Sequence, residues 1–291
     1  MSKSEMIDTH QHLWVMSERS YDWILPEYGV IYDDFTPKRL APQIAKSGVT
    51  STVLVQAADT YDDTFYMLHV AKTEKIVDGV VGYVPLHRTD EAKTAIDSFV
   101  LEKHFKGVRN LTHNYADPRY ENDDKWILRK SVIETLKYVA KKKLTFDYVS
   151  VNDGHLSNVA VLAKKIPELK IVIDHIGKPD VANKAFGSWA KLMEAAAKHQ
   201  NVYAKISGLN TVSGPGWTAA DWQPYFDFIV EKFGAKRTML GGDWPVILLH
   251  SGDDYIKVWK AQSECISKFS ATDQAWIKFK TAKSFYRIGK K

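Results

Sequence analysis

The sequence predicts a (β/α)8 barrel of the TIM type, formed as one domain by residues 1–291. Two observations predict it. Eight short runs rich in Val and Ile alternate with longer helical patterns, and most of the runs end on Gly, Asp, Asn or Pro. No G-x-G-x-x-G turn occurs, which an open, doubly wound dinucleotide-binding sheet usually carries. Strands that are each followed by a helix call for a parallel sheet covered on its faces, and eight such units in about 250 residues match a closed barrel.

In chain order the predicted strands are "EMIDTHQH", "STVLVQA", "GVVGYVPL", "FKGVRNL", "LTFDYVS", "KIVIDHIG", "VYAKISGL" and "RTMLGGDWP". Helical patterns lie between them at 38–47, 62–75, 91–101, 124–142, 154–166, 186–199, 222–233 and 253–267. In 124–142, Leu128, Val132, Leu136 and Val139 form one apolar stripe at steps of four, four and three; Val159, Leu162, Ala163 and Ile166 form another. A last helix follows "SATDQ", where Ser270 with Asp273 three residues on is an N-cap signal.

Composition bounds the function. Hydrophobic content of 45% and charged content of 26% are ordinary globular values. The net charge of +5 is carried by lysines scattered over helices, as in "VAKKKL", which reads as solvated faces rather than a nucleic-acid surface. No apolar run reaches the ~20 residues of a membrane span, and no secretory leader precedes "MIDTHQH". The single Cys265 forms no internal disulfide, so a cytoplasmic protein is expected.

Barrel enzymes work at the C-terminal ends of their strands. In the first strand, alternation puts Asp8, His10 and His12 on one face. An H-x-H pair there presents two nitrogens to one metal ion; the plainer reading is one loop-capping and one core histidine. The sixth strand offers His175, with Asp174 expected on the opposite face. The eighth offers Asp243 after two glycines, which leave room for a close approach. Arg109 ends the fourth strand, to bind a substrate oxygen or to pair with Asp8 or Asp147. Gln56, Tyr148 and Lys205 sit at or near other strand ends, Lys205 sharing a face with Tyr203 and Ser207. Trp14, Tyr21, Trp23 and Tyr28 in the long loop after the first strand, and Trp244 in the last, are aromatic faces of the kind that suit polyhydroxylated, sugar-like ligands. No lysine ends the fourth strand and no histidine lies in the fifth, so at most one metal ion is expected.

"IDTHQHLW" (7–14), "GVR" (107–109), "VIDHIGKPD" (172–180), "AKISGL" (204–209) and "GGDWPV" (241–246) fall in one order along the whole chain. Together they resemble the amidohydrolase-related proteins of the amidohydrolase superfamily, in the branch of the sugar lactonases and a pyrone-dicarboxylate lactonase. The resemblance implies hydrolysis of a small lactone. It implies that His10, His12, His175 and Asp243 surround one divalent metal ion, zinc being the expected one, although some lactonases of the branch work without metal. Asp243 and His175 would be catalytic, and Arg109, Gln56, Trp14, Lys205, Tyr148 and Trp244 would line the substrate. The partner expected is a small-molecule lactone, with no nucleic acid and no membrane, in a monomer or a homodimer. The chain departs from many relatives at "RNLTHN", where Asn110 follows the arginine, and this bears on the substrate class. The rival readings are a metal-dependent decarboxylase or amide hydrolase on the same scaffold, and a non-catalytic sugar-acid-binding protein.

Overall fold

The computed structural model describes residues 5–112, 123–250 and 252–289. Eight strands form one sheet: β1 (Ile7–Gln11), β2 (Ser51–Val55), β3 (Val77–Gly82), β4 (Phe105–Asn110), β5 (Thr145–Tyr148), β6 (Lys170–Ile173), β7 (Val202–Ile206) and β8 (Thr238–Leu240). They pair in parallel in sequence order. Just past β8 the chain continues the ladder onto β1: the amide of Asp243 donates to His10 O at 2.7 Å, and that of His12 to Trp244 O at 2.8 Å. The barrel is thereby nearly closed, as the alternating pattern predicts.

The helices are α1 (Pro37–Ser47), α2 (Tyr61–Thr73), α3 (Thr89–Phe99), α4 (Lys130–Lys141), α5 (Asp153–Lys165), α6 (Gly187–Ala197), α7 (Ala219–Phe233), α8 (Tyr255–Ile266), α9 (Ala271–Ala275) and α10 (Thr281–Tyr286). Their apolar stripes face the barrel. Val132, Leu136 and Val139 of α4 are fully buried, each side chain stabilising the fold by about 1.5–3 kcal/mol. Leu128, the first member of the expected stripe, lies in a separate 3-10 turn (Trp126–Leu128). Ser270 caps α9 as expected, accepting from the Asp273 amide at 3.1 Å. The last helical stretch is broken by a π turn over Trp276–Lys280. Beyond it, Phe285, Tyr286 and Ile288 pack on Ile7, Val53, Val55, Val81, Val172 and Met239, closing the end of the barrel away from the strand C-termini. Among the described residues no helix is long and apolar enough to cross a membrane.

Two expectations about strand faces are corrected. Asp8 does not join the two histidines. The β1–β2 register shifts between Asp8 and Gln11, so simple alternation does not carry across. Asp8 instead accepts from Tyr255 Oη of α8 at 2.7 Å and from the amides of His10 (3.0 Å) and Gly242 (2.7 Å), tying β1 to α8 and to the chain after β8. Burial pushes its carboxyl up to about 6. The second correction is at β6, which ends at Ile173. His175 (φ 53°), Ile176 (φ 43°), Gly177 (φ 72°) and Lys178 (φ 52°) then run through the left-handed region. Asp174 and His175 therefore do not face opposite ways.

Candidate active site

The site is built at the joined C-terminal ends of the strands. His12 sits just past β1, and its Nδ1 lies 2.7 Å from Val55 O. A carbonyl only accepts, so Nδ1 carries the proton and Nε2 keeps its lone pair. His10 Nε2 lies 3.2 Å from Arg109 Nη1. Arginine only donates, so this nitrogen too is an acceptor, and His10 holds its proton on Nδ1, 3.3 Å from Asp174 Oδ1. The two Nε2 atoms are 3.1 Å apart. Two lone pairs facing each other at that distance call for a positive centre between them.

Asp243 completes the group. Its Oδ1 is 3.7 Å from His10 Nε2 and 3.5 Å from His12 Nε2. Asp243 is left-handed (φ 55°), a conformation that Asp tolerates better than most residues. The close approach depends on glycine: a Cβ at Gly241 would stand 2.6 Å from His10 Cβ, and one at Gly208 (φ 60°) 2.5 Å from Asp243 Oδ2. His175 stands beside this group. Its ring is 4.4 Å from that of His10. Its Nδ1 lies 2.9 Å from Ser207 Oγ and 3.8 Å from Asp243 Oδ2.

Burial sets the protonation states. It holds His10 well below the ordinary imidazole value, lowers His12, and brings His175 down to about 4. All three rings are neutral near neutral pH. Burial works the other way on Asp243, but His175, His12 and His10 outweigh it and hold the carboxylate below its usual range, so it stays ionised.

Beneath the histidines lies a charged layer. Lys205 is fully buried, with Asp147 Oδ2 at 2.6 Å, Asp174 Oδ1 at 2.9 Å and His10 Nδ1 at 3.3 Å. The two carboxylates take up its charge, and the protonated Nδ1 of His10 only borders it, so in this structure the fully buried Lys205 supports His10 through Asp174. Tyr286 Oη of α10 donates to Asp147 at 2.6 Å from the far end of the barrel. Arg109 pairs with Asp174 (3.3 Å) rather than with Asp8 or Asp147, and its Nη2 donates to Gln56 O at 2.8 Å. Gln56 Nε2 donates to Asp59 at 2.8 Å and to Arg109 O at 3.2 Å.

The remaining aromatic candidates stand back. Tyr148 does not join the group: its hydroxyl donates to His155 O on α5 at 3.0 Å. Trp14 is completely buried, its ring 6.4 Å from that of His12 and its Nε1 donating to Asp33 O at 2.9 Å. Trp244 is buried with its ring 5.1 Å from Phe35. Tyr21 is buried beside Trp14, while Tyr28 is exposed. Asn110 donates to Val84 O at 3.1 Å; the end of "RNLTHN" lies outside the described residues. Asp147 and Tyr286, which help hold the site together, lie in none of the motifs read from the sequence, while Asp174 and Ser207 lie inside "VIDHIGKPD" and "AKISGL" without a site role assigned there.

Among the described residues, His10, His12 and Asp243 form the group whose ligand atoms all lie within 4.8 Å of one another. Two proton-free imidazole nitrogens and one ionised carboxylate are a donor set that suits a divalent ion, and the carbonyl behind His12 and the carboxylate behind His10 are the usual orienting partners of such ligands. His175 is not one of the three; Ser207 occupies its Nδ1.

Comparison with known proteins places this geometry. The family model described as "Amidohydrolase" matches residues 7–288. The chain belongs to the amidohydrolase family. It is 37% identical to the L-fucono-1,5-lactonase of Burkholderia ambifaria, over 97% of this chain and 95% of that protein. It is 30% identical to the L-rhamnono-gamma-lactonase of Scheffersomyces stipitis over 53% of this chain and 49% of that one. An amidohydrolase from Burkholderia multivorans, solved with bound Zn, superposes with a TM-score of 0.86 at 25% identity, covering 98% of this chain and 99% of that one. Like its family this amidohydrolase is a hydrolase, and its strand 1 histidines and Asp243 lie where barrel enzymes do their chemistry.

Proposed function

We propose that this amidohydrolase opens a small sugar-acid lactone, with Asp243 activating the attacking water. The observation that carries the reading is an ionised, buried Asp243 set 3.5 and 3.7 Å from two proton-free imidazole nitrogens. The two lactonase relatives support the choice of substrate class.

His10, His12 and Asp243 would hold one divalent ion, zinc by the example of the Burkholderia multivorans neighbour. Bound there, such an ion supplies Lewis acidity toward the lactone carbonyl and makes water a better nucleophile. The chain's own groups do the rest. Asp243 takes a proton from water as its oxygen adds to the carbonyl carbon, a role typically worth ~10²–10⁴-fold. Arg109, with Nη1 3.2 Å from His10 Nε2, places its guanidinium charge beside the point where negative charge develops and would stabilise that charge electrostatically. The ring C–O bond then breaks, and the departing oxygen takes the proton back from Asp243. One returned proton suffices for an alkoxide leaving group, so a single carboxylate can serve both steps. His175, neutral and fixed by Ser207, borders Asp243 and lines the reacting centre. The enzyme would serve carbohydrate metabolism by releasing a sugar acid from its lactone, and the cytoplasm is the compartment that suits its one buried thiol, Cys265.

The test is a lactone panel followed with a pH indicator, with and without chelator. L-Fucono-1,5-lactone or a close sugar lactone should release acid well above its spontaneous rate, and chelation should suppress that release. A panel that shows no acceleration on any sugar lactone removes the reading.

A further inference from the structure

Every other cation near the site is committed to a protein neighbour. Lys205 faces Asp147, Asp174 and His10. Arg109 faces Asp174, His10 and Gln56. Lys178 is different. It is half-buried, and among the described residues its ammonium has no hydrogen-bond or ion-pair partner. Yet it lies within the electrostatic reach of Asp243, Arg109 and Asp174; burial and Arg109 make its charge harder to hold, while the two carboxylates favour it.

The backbone fixes Lys178 there at a cost. It closes the four-residue left-handed run that begins at His175. Three of the four are not glycine, and one is the fully buried, β-branched Ile176. Left-handed backbone is unfavourable for an L-residue, and such strain clusters at functional sites. Surrounding contacts hold the turn: Trp189 Nε1 donates to Ile176 O at 2.7 Å, and a Cβ at Gly177 would stand 3.1 Å from Leu156. The same turn that sets His175 against Asp243 therefore sets the stem of Lys178.

The chemistry of the reaction says what this cation is for. A sugar lactone is neutral. Water adds to its carbonyl carbon, the ring C–O bond breaks, the ring oxygen leaves as a hydroxyl with one proton, and the new acid gives its other proton to solvent. Each turnover thus creates one negative charge beside the anionic Asp243. We propose that Lys178 is the counter-charge for that new carboxylate, forming a product-acid subsite. The inference rests on the lactonase reading.

The test separates charge from shape. Lys178→Asn removes the ammonium and keeps a residue that tolerates left-handed backbone; Lys178→Arg keeps the charge. The probes are L-fuconate as inhibitor of L-fucono-1,5-lactone hydrolysis, and L-fucitol as its uncharged counterpart in calorimetric titrations. In Lys178→Asn the inhibition constant of L-fuconate should rise on the order of tenfold, a charge-assisted contact being lost, while KM for the neutral lactone rises less than about threefold. Lys178→Arg should restore most of the difference. Equal rises in both constants, or an unmoved inhibition constant, overturn the proposal. The titrations read the L-fuconate over L-fucitol preference without turnover. A protein that opens no lactone then fails the lactonase reading, while the change of that preference in Lys178→Asn still decides the subsite.

Discussion

Asp243→Asn should lower kcat on the order of 10³-fold or more and leave the melting temperature within a few degrees of the native value. The amide has the size of the carboxylate but cannot take a proton from water. It also keeps the backbone, because asparagine accepts the left-handed φ of 55° found at this position. The fold does not need the charge: Asp243 is attached to β1 through its amide and through the neighbouring Trp244 carbonyl, not through its side chain. Steady-state kinetics on the lactone chosen by the panel, with a thermal melt of the same preparation, checks both halves. Turnover close to the native rate would remove Asp243 as the base.

The largest loss of stability is expected from Lys205→Ala. Lys205, Asp147 and Asp174 are all fully buried, and the ammonium bridges the two carboxylates at 2.6 and 2.9 Å. Removing one partner from a buried ionic group leaves uncompensated charge, which costs about 3–5 kcal/mol. Urea denaturation at neutral pH measures it, and a loss below about 1 kcal/mol would show that Tyr286 and Arg109 suffice for the two carboxylates. The pH dependence has a definite sign. Burial opposes ionisation of Asp174, but Lys205, His10 and Arg109 outweigh it and hold its carboxyl well below the usual range. A depressed folded-state value stabilises the native chain above the unfolded carboxylate pKa of about 3.9 and loses that contribution as pH falls through the folded value. The gap between native and Lys205→Ala protein should therefore narrow as pH drops below about 4.

The barrel was legible because its signals are local. Eight Val- and Ile-rich runs and the stripes of α4 and α5 state their own period, and burial follows that period. His10, His12 and Asp243 were legible because H-x-H and G-G-D mark strand ends. What escaped is set by backbone departures and by long-range contacts. Strand alternation puts Asp174 on the face opposite His175, and fails there because the chain turns left-handed one residue later. Alternation likewise groups Asp8 with the histidines, since nothing in the sequence marks the register shift in β1. Tyr286 meets Asp147 across 139 residues, a pairing with no sequence periodicity at all. Tyr148 at a strand end and Trp14 in the loop after β1 carry suitable chemistry, yet each gives its polar hydrogen to a backbone carbonyl away from His10 and His12.

The central claim is that His10 and His12 turn two lone pairs toward one point shared with Asp243, and that a single divalent ion belongs there. Elemental analysis of protein purified without chelator, with activity measured on the same sample, tests it most directly. Near one equivalent of a divalent metal per chain is predicted, falling together with activity in His10→Ala and in His12→Ala. Full lactone hydrolysis by protein shown to contain no metal would contradict it.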